Sequence, residues 1–327
     1  MTNEGLFEPT VMFFGLTNSP ATFQAMMNLV LGPEIAEQWL TVYMDDMAIH
    51  TAKIPNETDQ QHLQRHCNLV NRILAKLQEH NLFLKPEKCT FKQSTIEFLG
   101  VKVDQGTVQM DDTKIAKVRN WITLHNVTEV RKFLGFTWYY RYFIQDYSKK
   151  ACPLLYLSHN MTPWHWEQDQ QTAFETLHDA MCNKPILRQL DFTKPFYILT
   201  NASAYGVGAI LSQEGESAVL HVQTPHKKPK LHPVAYYSAT FTETECNYDI
   251  YNRELLAIMK AIMHWRPYLI WTEKPFTIYT DHANLLYWKS PHKLNRRTAR
   301  WHSELQDYHF TLEHIPGKTH IAADALS

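Results

Sequence analysis

The sequence predicts an α/β protein, and three observations carry that expectation. Beyond residue 191, three short β runs, one long helical run and a further β run follow in order, the pattern of a mixed sheet with helical cover. From Asp59 to His80, apolar residues recur every three or four positions, the spacing of a helix with one buried face. Between Thr41 and Thr51, TVYMDDMAIHT reads as two short strands joined at a pair of aspartates.

Taken in chain order, SPATFQAMMNLVL (19–31) opens on a Ser-Pro start signal and reads as a helix. The next helix presents Leu63, Cys67, Val70, Leu74 and Leu77, a face suited to packing on a sheet. NLFLKPEKCTF and TIEFLGVKVDQGTVQM read as β material with a turn at Asp104-Gln105-Gly106, and Asp111 to Tyr147 reads as two helices. Pro153, Pro163 and Pro185 punctuate a connector in which Trp164 and Trp166 are expected to anchor a core. From 191 onward come the strands FYILT, GVGAILSQ and HPVAYYSATF, the helix CNYDIYNRELLAIMKAIMHW, the strand FTIYTD, further helices and the strand HFTLEHI. HKKPK, before the third strand, reads as a solvated hairpin tip. The expected organisation is 1–110, 111–190 and 191–327, with the main boundary near 190.

Composition narrows the function classes. With 44% hydrophobic and 13% aromatic residues in 327, the chain can build extended cores, so large-scale disorder is excluded. Net charge is −1, so affinity for a polyanion has to come from local patches. Five cysteines without a CxxC pair indicate neither a disulfide framework nor a zinc ribbon, which suits a reducing, intracellular setting. No stretch reaches about 18 uninterrupted apolar residues and no secretory signal opens the chain, so no membrane role is expected.

Asp45 and Asp46 raise the first question of chemistry. Adjacent carboxylates repel, and a divalent cation removes that cost; oxygen-only ligands suit Mg²⁺, and paired ions serve phosphoryl transfer. An isolated Asp-Asp is ordinary turn chemistry, and its surroundings decide the matter. YMDD between two apolar β runs, preceded by FFGLTNSPATFQ and followed by FLGVKV, resembles the palm of a reverse transcriptase. From Gly5 to Ser327 the chain resembles a gypsy-type retrotransposon polyprotein.

That resemblance implies that Asp45 and Asp46 are two of three polymerase carboxylates. It implies that Phe14, Gly15, Gln24, Tyr43 and Met44 contact template and incoming nucleotide, and that Phe98, Leu99 and Gly100 form a primer grip. The third carboxylate is expected upstream of residue 1, and Phe13 stands where the family usually has proline. On this reading residues 1–110 are a partial palm and 111–190 a thumb and connection region.

A second acidic set comprises Glu254 in NRELLAIM, Asp281 closing FTIYTD and Asp324 in AADALS. Each alone reads as a surface charge, although Glu254 lies among apolar neighbours and Asp281 ends a strand, where open sheets place ligands. The order TNAS, RELLAI, YTDH, ADALS is similar to the ribonuclease H domain of the same retroelements, whose acidic residues hold two Mg²⁺ ions, with Mn²⁺ as an alternative. Asn201 departs from the TDAS of that family: its amide offers one neutral oxygen and no bridging carboxylate. Lys289, Lys293, Arg296, Arg297 and Arg300, with Trp301, form an acid-free basic segment suited to phosphate contact and stacking. An ordinary basic helix face fits those residues as well, and the resemblance favours hybrid binding.

The expected function is RNA-directed DNA synthesis with RNA cleavage in RNA:DNA hybrids, acting on template-primer and dNTPs, with the polymerase incomplete and the nuclease weakened at Asn201. The alternative is a noncatalytic nucleic-acid-binding relic. His62 and His66, spaced i, i+4, read as structural histidines rather than metal ligands. The sequence leaves the oligomeric state open.

Overall fold

The computed structural model describes residues 12–13, 15–159, 162–183, 186–215, 220–221, 230–270, 272–287 and 296–315. It is a mixed α/β structure in which contacts divide the chain into two compact units, 1–99 and 100–327. The division falls after Leu99.

The first unit contains helices α1 (Ser19–Val30), α2 (Gly32–Ala36) and α3 (Asp59–Glu79), with strands β1 (Leu40–Tyr43), β2 (Asp46–Ile49) and β3 (Ile96–Phe98). Helix α3 starts at a capping box, the Thr58 hydroxyl accepting from the Gln61 amide while the Gln61 side chain accepts from the Thr58 amide. Its core residues are Ile73 and Leu77, which pack with Met27, Leu31 and Leu40. The helical period of 59–80 holds, but the buried stripe is rotated from the expected one, leaving Leu63 and Leu74 exposed. His62 and His66 are half-buried on this helix, and their ring nitrogens both lie within hydrogen-bond reach of the Thr51 hydroxyl (3.1 and 3.2 Å). These histidines bind the chain to itself, as a structural pair does. NLFLKPEKCTF forms no strand; Pro86, which has no amide hydrogen, opens a 3₁₀ turn over Pro86–Lys88, and Phe83 is exposed.

The second unit begins with β4 (Val101–Asp104) and β5 (Thr107–Met110), an antiparallel pair turned at Gly106, whose φ of +75° suits glycine. Helices α4 (Asp112–Arg119), α5 (Val127–Tyr139), α6 (Tyr147–Ser158) and α7 (Gln168–Cys182) follow, and β6 (Ile186–Arg188) returns antiparallel to β5. Phe133, Ile144, Leu154, Phe174 and Leu177 lie in their shared core, with Trp164 and Trp166 stacked against it. Pro153 lies inside α6 instead of breaking the connector. The buried face Tyr147, Ala151, Leu154, Leu157 holds that helix through a residue disfavoured in helix interiors.

The remaining strands are β7 (Tyr197–Ala202), β8 (Gly206–Glu214), β9 (Leu220–His221), β10 (Lys230–Thr240), β11 (Phe276–Thr280) and β12 (Phe310–His314). They form one sheet in the order β12-β11-β7-β8-β10-β9, antiparallel through β7, β8, β10 and β9 and parallel through β7, β11 and β12. The interspersed helices are α8 (Glu243–Cys246), α9 (Ile250–His264), α10 (Arg266–Leu269) and α11 (Arg296–Leu305). Leu255, Ile258 and Ile262 of α9 bury against Ile198, Leu211 and Ile278 of the sheet, while Tyr197, Leu199, Ile210 and Tyr279 form a separate core cluster. Apolar cover on both faces explains why β7 and β8 read as nearly continuous apolar runs.

The β7–β8 hairpin depends on glycine at one point. A Cβ on Gly206 would stand 2.7 Å from the Ala239 carbonyl oxygen of β10, a backbone atom that cannot step aside. Gly206→Val is therefore expected to cost about 2 kcal/mol, read as a lower urea midpoint with an unchanged m-value.

Candidate active site

In the first unit, β1 and β2 pair antiparallel with Tyr43 opposite Asp46, so the turn between them is Met44-Asp45. Met44 adopts a left-handed conformation (φ +53°), which brings Asp45 and Asp46 to the exposed tip of a tight hairpin. Gln24 from α1 fixes that tip: its Oε1 accepts from the Met44 amide at 2.6 Å and its Nε2 donates to the Val42 carbonyl at 3.4 Å. Gln24 is thus spent on the turn. Gly15 lies ahead of α1 with φ +99°, and Leu99 and Gly100 are both left-handed. The Tyr140 hydroxyl donates to the Gly100 carbonyl at 3.1 Å. Phe14 lies outside the described residues.

In the second unit three of the expected residues converge. The β7–β11 register pairs Leu199 with Tyr279, and two residues further on it carries Asn201 and Asp281 to neighbouring strand ends with the same side-chain parity. Glu254, one turn into α9, reaches the same place: its Oε1 accepts from the Ala202 amide at 3.2 Å. Its Oε2 is buried and has no hydrogen-bond partner among the described residues. Burial, and then repulsion from Asp281, push the Glu254 carboxyl up to about 8. A half-satisfied carboxyl beside a second carboxylate is a cation's environment, and it is this geometry, rather than residue types alone, that marks the site.

The set is short of one acid. Among the described residues no three His, Cys, Asp or Glu side chains stand close enough together to hold a metal. Asn201, 5% exposed, takes a central position with a neutral side chain. Asp324 lies outside the described residues. Neighbours that sequence reasoning missed brace the site: Arg253 donates to the Ser203 carbonyl (3.3 Å), and His314 on β12 lies 3.0 Å from the Asp281 carbonyl oxygen. Their only signal in the sequence is adjacency to RELLAI and a place on the last strand.

Helix α11 divides the basic segment. Arg297 turns inward, its guanidinium 3.7 Å from the centre of the Tyr248 ring, and Trp301 packs half-buried beside them. Arg296 and Arg300 remain exposed, Arg300 bridging Glu304 at 3.0 Å. Lys289 and Lys293 lie outside the described residues, as does most of the HKKPK loop.

Comparison with known proteins matches both units of the chain. Residues 1–103 match the family model described as reverse transcriptase (RNA-dependent DNA polymerase), and 191–308 match the RNase H-like domain found in reverse transcriptase. The Tf2-3 and Tf2-4 transposon polyproteins of Schizosaccharomyces pombe are each 36% identical over 325 residues, 99% of this chain and 23% of theirs. The chain belongs to the gypsy-type retrotransposon polyprotein family. It spans about a quarter of the length of those relatives. In fold it is similar to the foamy viral protease-reverse transcriptase solved with an RNA/DNA hybrid, at a TM-score of 0.73 and 21% identity, covering 93% of this chain and 39% of that one. The foamy viral protease-reverse transcriptase dRH, solved in complex with double-stranded DNA, gives a TM-score of 0.72 at 21% identity, covering 92% of this chain and 49% of that one. Among the described residues no helix is long and apolar enough to cross a membrane.

Proposed function

We propose that this retrotransposon segment binds RNA:DNA hybrid and template-primer, and that its RNase H-like centre is complete except for one negative charge. The buried, unpartnered Oε2 of Glu254 beside Asp281 carries the reading. Two carboxylates of which one retains a proton near neutral pH fit a divalent cation, Mg²⁺ or Mn²⁺, because only a positive charge between them relieves both burial and repulsion. Such an ion, when bound, supplies Lewis-acid stabilisation of phosphoryl oxygens. Glu254 and Asp281 would hold it, with the Asn201 amide oxygen as a neutral third donor and Asp324 as a further candidate.

The residues of the chain do the rest. The Ala202 amide orients the Glu254 carboxyl, and β7 and β11 fix the spacing of Asn201 and Asp281. A neutral side chain at position 201 would weaken cation loading and thereby nuclease activity. In the first unit, Asp45 and Asp46 at an exposed, Gln24-braced turn suit the same class of ion together with substrate phosphates, dNTPs among them. Phe98, Leu99 and Gly100 are proposed to hold the primer strand, and Tyr43 and Met44 the incoming nucleotide. The noncatalytic reading is favoured by one observation, the neutral side chain at 201, and differs only in predicting no chemistry once charge is restored.

Hybrid binding tests the reading independently of cleavage. Arg296→Ala combined with Arg300→Ala removes two exposed cations and no core contact, and is expected to weaken hybrid binding about tenfold and flatten the salt slope by about two. Fluorescence anisotropy across a salt series reads both. An unchanged slope would remove α11 from the interface.

A further inference from the structure

Beyond the acidic centres, the second unit contains a cavity of about 430 Å³ between β5–β6, the 3₁₀ turn Arg141–Phe143, β10 and the end of α9. Its volume falls in the range of small-ligand sites. Two arginines line it, Arg141 and Arg188, and among the described residues no acidic side chain does. Neither guanidinium forms an ion pair with a carboxylate among the described residues: Arg141 lies over the Trp138 ring at 3.6 Å and donates to the Trp138 carbonyl, and Arg188 is exposed.

The rest of the wall is aromatic. Tyr237 and His264 stack at 4.3 Å with 23° between their planes, and Tyr142 and Tyr268 also line the cavity. Burial and the nearby Arg141 hold the His264 imidazole below its usual range, so at neutral pH it stacks as a neutral ring. Burial likewise raises the Tyr142 phenol and keeps it a neutral hydrogen-bond donor. Cations are disfavoured here by two permanent positive charges. A purely apolar ligand would leave both guanidinium groups without use. A ligand that joins a phosphate to a flat base satisfies both halves of the wall, since guanidinium forks match phosphate oxygens and rings stack on bases.

We infer that this cavity is a nucleotide site, taking a base against Tyr237 and His264 and its phosphate at Arg141 and Arg188. It is separate from the acidic centre, since His264 lies ten residues beyond Glu254 on α9, about 15 Å along the helix axis. A free mononucleotide and a nucleotide of a single strand present the same chemistry, and the experiment distinguishes them.

The test is equilibrium binding of AMP, adenosine and 5′-phosphorylated tetrathymidylate to the intact chain in EDTA, which keeps divalent cations out of the measurement. AMP is expected to bind with adenosine about tenfold weaker, and Arg188→Ala is expected to lose about tenfold for AMP. Among the described residues the Arg188 side chain makes no hydrogen bond that the variant would lose, and an unchanged thermal melt of the variant confirms that the fold is intact. His264→Ala, which removes the stacking face, is expected to weaken AMP and adenosine alike. Binding of the oligonucleotide alone, still dependent on Arg188, supports the site and assigns it to a strand. Absence of binding by both phosphorylated probes at millimolar concentration, or AMP binding unchanged in Arg188→Ala, overturns the inference. Neither result bears on Glu254 and Asp281.

Discussion

Glu254→Gln is expected to stabilise the metal-free chain at pH 8 and to leave it nearly unchanged at pH 4.5. The sign follows from the buried carboxyl. Folding raises its pKa from 4.5 to about 8, so the native state binds the proton more tightly than the unfolded state. Stability is then undiminished below pH 4.5 and falls as pH rises toward 8. A glutamine has no proton to lose and keeps an oxygen for the Ala202 amide. At about 1.4 kcal/mol per pKa unit, and allowing for relaxation of the site, the variant should gain roughly 3 kcal/mol at pH 8 in EDTA. Urea titrations at the two pH values check this. Saturating Mg²⁺ should reverse the order, because the ion stabilises only the chain that retains the carboxylate. A variant less stable than the parent at pH 8 in EDTA would show that Glu254 is not held as a strained acid.

Asn201→Asp is expected to act in the opposite sense. A third carboxylate beside Glu254 and Asp281 adds repulsion, so the metal-free variant should melt lower than the parent. With Mg²⁺ the added charge faces a dication at short range, an interaction that remains large at an effective dielectric near 20. Calorimetric Mg²⁺ affinity should rise at least about tenfold, equivalent to about 1.4 kcal/mol. Equal affinity in parent and variant would mean that position 201 does not face the ion.

Much of this was legible before any coordinates. The alternation of β runs with one long amphipathic helix placed the strands β7, β8, β10, β11 and β12 near their observed positions, because a two-faced buried sheet leaves long apolar runs, whereas the two-residue strand β9 is too short to leave a pattern. The hairpin at Asp45 and Asp46 was legible because two short apolar β runs flank a turn-forming pair of aspartates. Three features were not. Leu63 and Leu74 are apolar but exposed, since the face of α3 that packs is set by its neighbours rather than by its own composition. Pro153 punctuates the connector in sequence, yet it lies inside α6, whose packing outweighs its local cost. The direction of Arg297 and Trp301 could not be read from a cluster of basic residues, because one helix turn carries inward and outward positions at adjacent numbers.

The site itself was half legible. Glu254 and Asp281 were found as acidic residues in telling local contexts, and Asn201 as the departure from the pattern. Burial of Glu254 and its repulsion by Asp281 are properties of three segments brought together, and no single segment contains them. The braces supplied by Arg253 and His314 were missed because both act through backbone carbonyls, which leave no trace in side-chain spacing.

The most direct test is Mg²⁺-dependent cleavage of a labelled RNA:DNA hybrid by the purified chain, measured beside Asn201→Asp and a double variant, Asn201→Asp with Asp281→Asn. The account predicts weak or absent cleavage by the parent, a gain of about a hundredfold or more in Asn201→Asp, set by the recovered charge stabilisation, and its loss in the double variant. Vigorous cleavage by the parent, or silence in Asn201→Asp while Mg²⁺ binding is restored, would contradict it.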